Sequence, residues 1–338
     1  MKNIVIFDEY NEIDLKPTDL LERYIRLTKD DVAHLLIEGR RLRERSCPGC
    51  QGKEVVSQFS KFGLQYKECK NCHSLYISPC PDDAALNRYY KEAKSRIFWR
   101  DELLKTTNQK RKEKIIKPRF QWILDSTQEY LPEALHFVDI NTLQYGYTEE
   151  IAKTRLFKRK TLINPFLISS NGQSHSTINV IDTPWWEVSI KNSVDVISLF
   201  EVADRTADLD GIFEKINSFL KTNGLCFMTT ILASGFDLQI LWDRAENLYP
   251  PDRLNVLSIE GWQALFKRHN FECLELSTPG ILDVEIVVKA YKENPSLKLP
   301  KFIQYLLENR NEDVKMAFQE FLQSSLLSSY GRILLRKK

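Results

Sequence analysis

Four cysteines fall into two pairs, Cys47-Pro48-Gly49-Cys50 and Cys69-Lys70-Asn71-Cys72, with eighteen residues between them. Thiolates are soft ligands, and two CxxC turns at this spacing can set four sulfurs tetrahedrally around one Zn²⁺. With Cys47, Cys50, Cys69 and Cys72 taking every position, the expected site is structural, because a catalytic zinc keeps one position open for water. Val55–Phe62 and Gln65–Tyr66 can pair as a hairpin between the turns, so the segment reads as a zinc ribbon. Cys80 lies too near the second pair to need a metal role, and His73 is expected to be a neighbour of the site. Cys226 and Cys273 fall in apolar runs and are expected to be inert.

A second chemical feature follows the ribbon. Between Lys94 and Trp122 stand ten Lys or Arg and three acids, a local charge of +7. The default reading of such a run is a solvated helix face. The sharper reading is an anion site for a phosphorylated substrate or a nucleic-acid backbone, aided by Phe98, Trp99, Phe120 and Trp122. Three histidines receive no chemical role: His34 on a helical stretch, expected to be a satisfied structural histidine, His175 in a polar loop, and His269 near a helix end.

The elements that must position these groups can be read from periodicity. Ile4–Phe7 reads as a short strand, and Leu20, Leu21, Tyr24, Ile25 and Leu27 recur at helical spacing after the start signal Lys16-Pro17-Thr18-Asp19. From residue 135 strands alternate with helices: 135–140 strand, 147–156 helix, 160–164 strand, 193–200 strand, 209–220 helix, and a Thr222-Asn223-Gly224 turn into the strand 225–231. This order predicts an α/β fold, a doubly wound and mostly parallel sheet of Rossmann-like form. Ligands of such sheets bind beyond the carboxyl ends of the strands.

At this point the chain resembles class I S-adenosylmethionine-dependent methyltransferases, and within them a group with an amino-terminal zinc ribbon that includes sugar C-methyltransferases. The resemblance rests on the ribbon, Ser95–Trp99 with the basic helix after it, Val138-Asp139-Ile140, Leu199-Phe200-Glu201-Val202, Leu220–Leu225, Ser234–Asp237, Tyr249–Asn255 and Ser277–Val284, in order over roughly residues 20–338. Members of that family end the first strand with an acid and a glycine-rich turn that lets the backbone approach the cofactor. Here the turn is Asp139-Ile140-Asn141-Thr142-Leu143-Gln144-Tyr145-Gly146, with Asn141, Leu143 and Tyr145 at glycine positions and Gly146 displaced by one. The acid that accepts both ribose hydroxyls is replaced by Asn164. Two family histidines near the substrate have become Arg205 and Arg253, which stay protonated and cannot act as bases but can clamp an anion.

The resemblance therefore implies a methyltransferase-like protein with a degenerate cofactor site, a non-catalytic binding or scaffold homologue: a pseudoenzyme in which S-adenosylmethionine binding is not expected. The alternative it implies is an active methyltransferase acting on a nucleotide-linked sugar or another phosphorylated small molecule, with Asp139 and Glu201 holding cofactor or substrate and Arg205 and Arg253 gripping phosphate. The expected partner is an anionic small molecule (a nucleotide sugar or phosphate ester) or a protein.

Composition agrees with a folded enzyme-sized chain: 338 residues, 43% apolar and 28% charged, with a formal charge of +2. That excludes a global field of the kind that marks a dedicated nucleic-acid binder. No apolar run approaches the length of a membrane span, and the opening residues lack the pattern of a signal peptide, so a cytoplasmic location is expected. Five units are expected: 1–45 strand and helix, 46–80 zinc ribbon, 81–130 basic helical segment, 131–292 the α/β domain, and 293–338 a helical extension with a final strand.

Overall fold

The computed structural model describes residues 15–140, 147–164, 177–190, 192–294 and 296–338. Three strands, β1 (Val55–Lys61), β2 (Leu64–Cys69) and β3 (Leu75–Ile77), pair antiparallel. β4 (His136–Ile140), β5 (Arg159–Ile163), β6 (Asn179–Ile181), β7 (Val194–Phe200) and β8 (Leu220–Ile231) form the parallel body of a larger sheet. The short β9 (Asn255–Val256) joins the ribbon, while β10 (Phe271–Ser277) and β11 (Tyr330–Lys337) complete the larger sheet.

That sheet has seven strands in the order β10-β11-β8-β7-β4-β5-β6, with β11 antiparallel to both neighbours. The predicted doubly wound, mostly parallel α/β sheet is present. β4 is buried along its whole length and β7 nearly so, which is why both read as mostly apolar stretches rather than as strands alternating between a wet and a dry face, with Asp139, Asp195 and Ser198 among the buried polar exceptions. Alternate residues feed opposite cores: Ile197, Leu199, Cys226 and Met228 meet Phe213, Ile216 and Trp262 on one face, while Val196 and Phe227 meet Phe120, Trp122 and Phe137 on the other. The chain order reverses between β4 and β7, so their carboxyl ends frame the crevice where such sheets bind ligands.

Two sequence readings change in detail. The turn expected at 222–224 lies inside β8, where the pairing with β7 skips from Leu220 to Leu225, leaving the turn as a bulge. The final strand, grouped with the extension 293–338, lies inside the sheet between β8 and β10. His34, expected to be a satisfied structural histidine, is exposed and bonds Glu38 one helical turn away at 2.8 Å. The strand expected at Ile4–Phe7 lies outside the described residues.

The ribbon does not hang free. β3 takes β9 as its outer neighbour, pairing Leu75 with Val256 and Tyr76 with Asn255. Gly49 sits so close to Gly261, in the first turn of the helix Ile259–Arg268, that a Cβ at Gly49 would come within 2.9 Å of the Gly261 Cα, so the ribbon turn needs its glycine for this approach. Arg268 caps the docking by donating to the carbonyls of Gly49 and Pro48 at 2.7 and 3.0 Å.

From Lys94 the chain runs helically to Tyr130, alternating α and π turns. A solvated face does not describe this basic run. Lys94, Lys105, Lys110 and Lys117 face solvent, whereas Arg96, Arg111 and Arg119 are only 7%, 7% and 5% exposed. Arg96 stacks 5.2 Å over the Tyr90 ring, and Arg111 lies 5.3 Å over Trp99.

Candidate functional site

The four ribbon cysteines converge, with sulfurs all within 4.8 Å of one another. Cys47 and Cys72 sulfurs are 3.6 Å apart, and those of Cys50 and Cys69 are 3.4 Å apart. A tetrahedral tetrathiolate site with Zn–S bonds of about 2.3 Å has edges of about 3.8 Å, so the donors fit such an ion after a small expansion. The Gly52 amide and the Ser74 hydroxyl reach the Cys50 and Cys72 sulfurs, which orients the ligands. His73 points away, exposed and bonded to Glu68. Cys80 and Cys226 are buried and Cys273 is partly buried, all outside the cluster.

A cavity of about 240 Å³ opens at the carboxyl end of β7, between the sheet and the basic helical run. Among the described residues it is lined by eight Lys or Arg and three Asp or Glu, alongside aromatic walls that include Trp99, Tyr147, Phe200 and Tyr249. Glu201, Arg205 and Arg253, singled out from the sequence, all line it. Glu201 directly follows β7 and adopts φ +57°, a left-handed conformation uncommon for a residue with a side chain. That turn aims its carboxylate at Arg119 (2.9 Å), Arg205 (3.3 Å) and Arg253 (3.4 Å).

Neither Arg205 nor Arg253 is a bare clamp. Arg205 also pairs with Asp252 at 3.3 Å, and Arg253 with Asp204 at 3.1 Å. Asp252 in turn accepts from Tyr24 at 2.9 Å and Tyr90 at 3.0 Å, and lies 3.5 Å from Arg96. Tyr24 links the two charges, since its hydroxyl accepts from Arg96 at 3.0 Å while donating to Asp252. Burial would raise both carboxyls, but Arg96, Arg205 and Arg253 hold Asp252 at about 2, and Arg119, Arg253 and Arg205 hold Glu201 well below its usual range. At Asp204 burial prevails over Arg253 and pushes the carboxyl up to about 6.

Arg111 differs from the rest. It is buried and bonds only the Thr107 hydroxyl (2.9 Å) and the Leu15 carbonyl (2.6 Å), with no carboxylate within ion-pair distance among the described residues. Burial lowers its pKa to about 10, with the more distant Glu201 carboxylate offsetting only part of the effect. Sequence reasoning passed over Arg111, Arg119 and Arg332 as individual residues. For Arg111 and Arg119 the density of basic residues in 94–122 was the available signal, but it does not say which of them turn inward; for Arg332, on the last strand, there was none.

The expected cofactor residues are distributed differently. Asn141, Leu143, Tyr145 and Gly146 lie outside the described residues, as does His175. Asp139 is 1% exposed and accepts from the Ser198 hydroxyl at 2.6 Å, and Ser198 accepts from Tyr147 at 3.2 Å. Asn164, at φ +46° and 1% exposed, donates its amide to Asn87 Oδ1 at 2.9 Å. His269 pairs with Asp210 at 2.7 Å, beside the ribbon contact of Arg268.

Residues 119–276 match a family model described as a methyltransferase domain, a span of just under half the chain. No curated protein matches. Among solved structures, a candidate sarcosine dimethylglycine methyltransferase from Galdieria sulphuraria is similar at 16% identity and TM-score 0.41, covering 66% of this chain and 86% of its own. An S-adenosylmethionine-dependent methyltransferase from Thermotoga maritima follows at 14% and 0.40, covering 69% and 96%. Another, from Mesorhizobium loti, is similar at 10% and 0.39, covering 64% and 98%. At these identities and scores none of the three bears on what this chain acts on. Residues 119–276 thus carry a match to a methyltransferase domain, on a doubly wound and mostly parallel sheet of the kind class I methyltransferases have.

Proposed function

We propose that this chain is a methyltransferase-like binding protein that takes an anionic small molecule into the cavity beside β7 and does not turn over S-adenosylmethionine, with Zn²⁺ in the cysteine cluster as a structural ion. The observation that carries the reading is Arg111, buried in the cavity wall beside no carboxylate among the described residues, in a lining whose described residues include eight basic side chains and three acidic ones. Buried cations are expensive without a counterion, and an anionic ligand supplies one. On the cofactor side, Asn164 stands where the family has a ribose-binding acid. A neutral amide accepts from one ribose hydroxyl while its NH₂ meets the other as a mismatched donor, and here that NH₂ is already engaged by Asn87.

Thermal unfolding tests the reading. A ligand bound only by the folded state adds about 2.7 kcal/mol at 100 times its Kd. Pyrophosphate at millimolar concentration is expected to raise the unfolding temperature, and S-adenosylmethionine and S-adenosylhomocysteine at the same concentration to leave it unchanged. The reverse pattern would favour the second reading, an active methyltransferase on a nucleotide-linked sugar or other phosphorylated small molecule. The family match over residues 119–276 favours that second reading.

A further inference from the structure

The two arginines conspicuous in the sequence are not the ones with charge to spare. Arg205 and Arg253 are matched by Glu201, Asp252 and Asp204, and Arg96 by Asp252. Arg253 retains one buried Nε–H without an acceptor, but its charge is met from two sides. Among the described residues Arg111 donates to a hydroxyl and a carbonyl and stacks on Trp99, with no carboxylate in reach, and the Arg332 guanidinium on β11 lies over the face of Trp122, 5.7 Å from its ring centroid, with no ion pair. Between them Arg119 shares Glu201 with two other arginines, and its Nη1 is buried without a hydrogen-bond partner among the described residues. Arg332 Nε is buried and unpartnered in the same sense. Tyr330, which accepts from Arg119 Nε at 2.9 Å, is two residues from Arg332 and so on the same face of β11.

We infer that Arg111, Arg119 and Arg332 form the anchoring subsite of this cavity and that it takes a phosphate-class oxyanion, the Arg205–Arg253 wall serving as a pre-neutralised lattice. This rests on the anion-binding reading above and names the part of the cavity that reads the charge. Phosphate is favoured over carboxylate because three guanidinium groups offer more donors, in more directions, than two carboxylate oxygens can use.

The subsite has a signature that a structural arginine lacks. An arginine that stabilises the fold through ion pairs weakens the fold when removed, whereas a buried cation awaiting a ligand burdens the unliganded protein. Arg111→Met is therefore expected to leave the urea midpoint of the ligand-free protein no lower than that of the wild type and to weaken binding of inorganic phosphate at least tenfold by calorimetry. Arg332→Gln is expected to weaken it similarly, while Arg205→Lys and Arg253→Lys, which keep the charge against their acids, stay within threefold of the wild type. Acetate is expected to bind the wild type at least tenfold more weakly than phosphate. If wild-type protein binds no phosphate at all, the anion-binding reading itself fails. If it binds phosphate but Arg111→Met binds equally well, or unfolds at lower urea, or if the Arg205→Lys and Arg253→Lys variants lose binding instead, only this subsite is overturned.

Discussion

Asp252→Asn is expected to destabilise the folded chain by about 3–5 kcal/mol, the penalty of leaving buried cations without their partner. Asp252 is 6% exposed and answers to Arg96 and Arg205 together, while its two oxygens accept from Tyr24 and Tyr90. Asparagine keeps an acceptor but carries no charge, and its NH₂ would face groups that are themselves donors. The loss also has a pH signature. The Asp252 carboxyl lies at about 2 in the fold against an ordinary 3.8, so its contribution is full above about pH 4 and is lost as pH falls through 2. Glu201, also depressed, acts in the same direction, whereas Asp204, raised to about 6, acts in the opposite one and weakens the fold as pH rises through that value. Comparing wild type with variant isolates Asp252. Urea midpoints should differ most at pH 7 and converge as pH drops below 4, and an undiminished difference at pH 2.5 would contradict the assignment.

Removing the ribbon metal is expected to unfold residues 46–80 and, with them, to weaken phosphate binding in the cavity at least tenfold. The first effect follows from the site: apparent binding free energies of structural zinc run to about 10–16 kcal/mol, far more than a three-stranded ribbon can supply by packing alone. The second follows from what the ribbon holds. Tyr66 donates to the Arg253 carbonyl at 2.7 Å, the Ile77 amide and Arg45 reach the Leu254 carbonyl at 2.9 and 3.0 Å, and β9 continues the ribbon sheet. The loop carrying Asp252 and Arg253 is thus fixed from the ribbon side. Metal analysis should find about one zinc per chain, and Cys69→Ser should lose both metal and phosphate affinity while much of the far-ultraviolet signal of the α/β domain persists. Full phosphate affinity in metal-free protein would separate ribbon from cavity and contradict the coupling.

The parallel sheet was legible in the sequence because buried strands such as Val194–Phe200 are mostly apolar and alternate with helical segments such as 209–220; the Asp208 cap of that helix, whose side chain accepts from the Gly211 amide at 2.9 Å, is seen only in the structure. The cysteine cluster was legible because its spacing is dictated by coordination geometry. β9 was not, since two residues carry no period and their pairing exists only once the ribbon docks. The inward arginines were hidden for a related reason: helical phase over 94–130 is disturbed by π turns at Trp99–Leu104 and Lys112–Ile116, which rotate the faces that a regular 3.6-residue period would assign. Asp252 was hidden because a buried acid is recognisable only by partners 47 to 228 residues away in sequence.

The central claim is that the chain has kept the methyltransferase scaffold while its ligand chemistry has moved to the basic cavity. Calorimetric titration of zinc-loaded protein with S-adenosylhomocysteine, carried to millimolar concentration, tests it most directly. No saturable heat is the result this account predicts, and a micromolar dissociation constant would contradict it and restore an active methyltransferase.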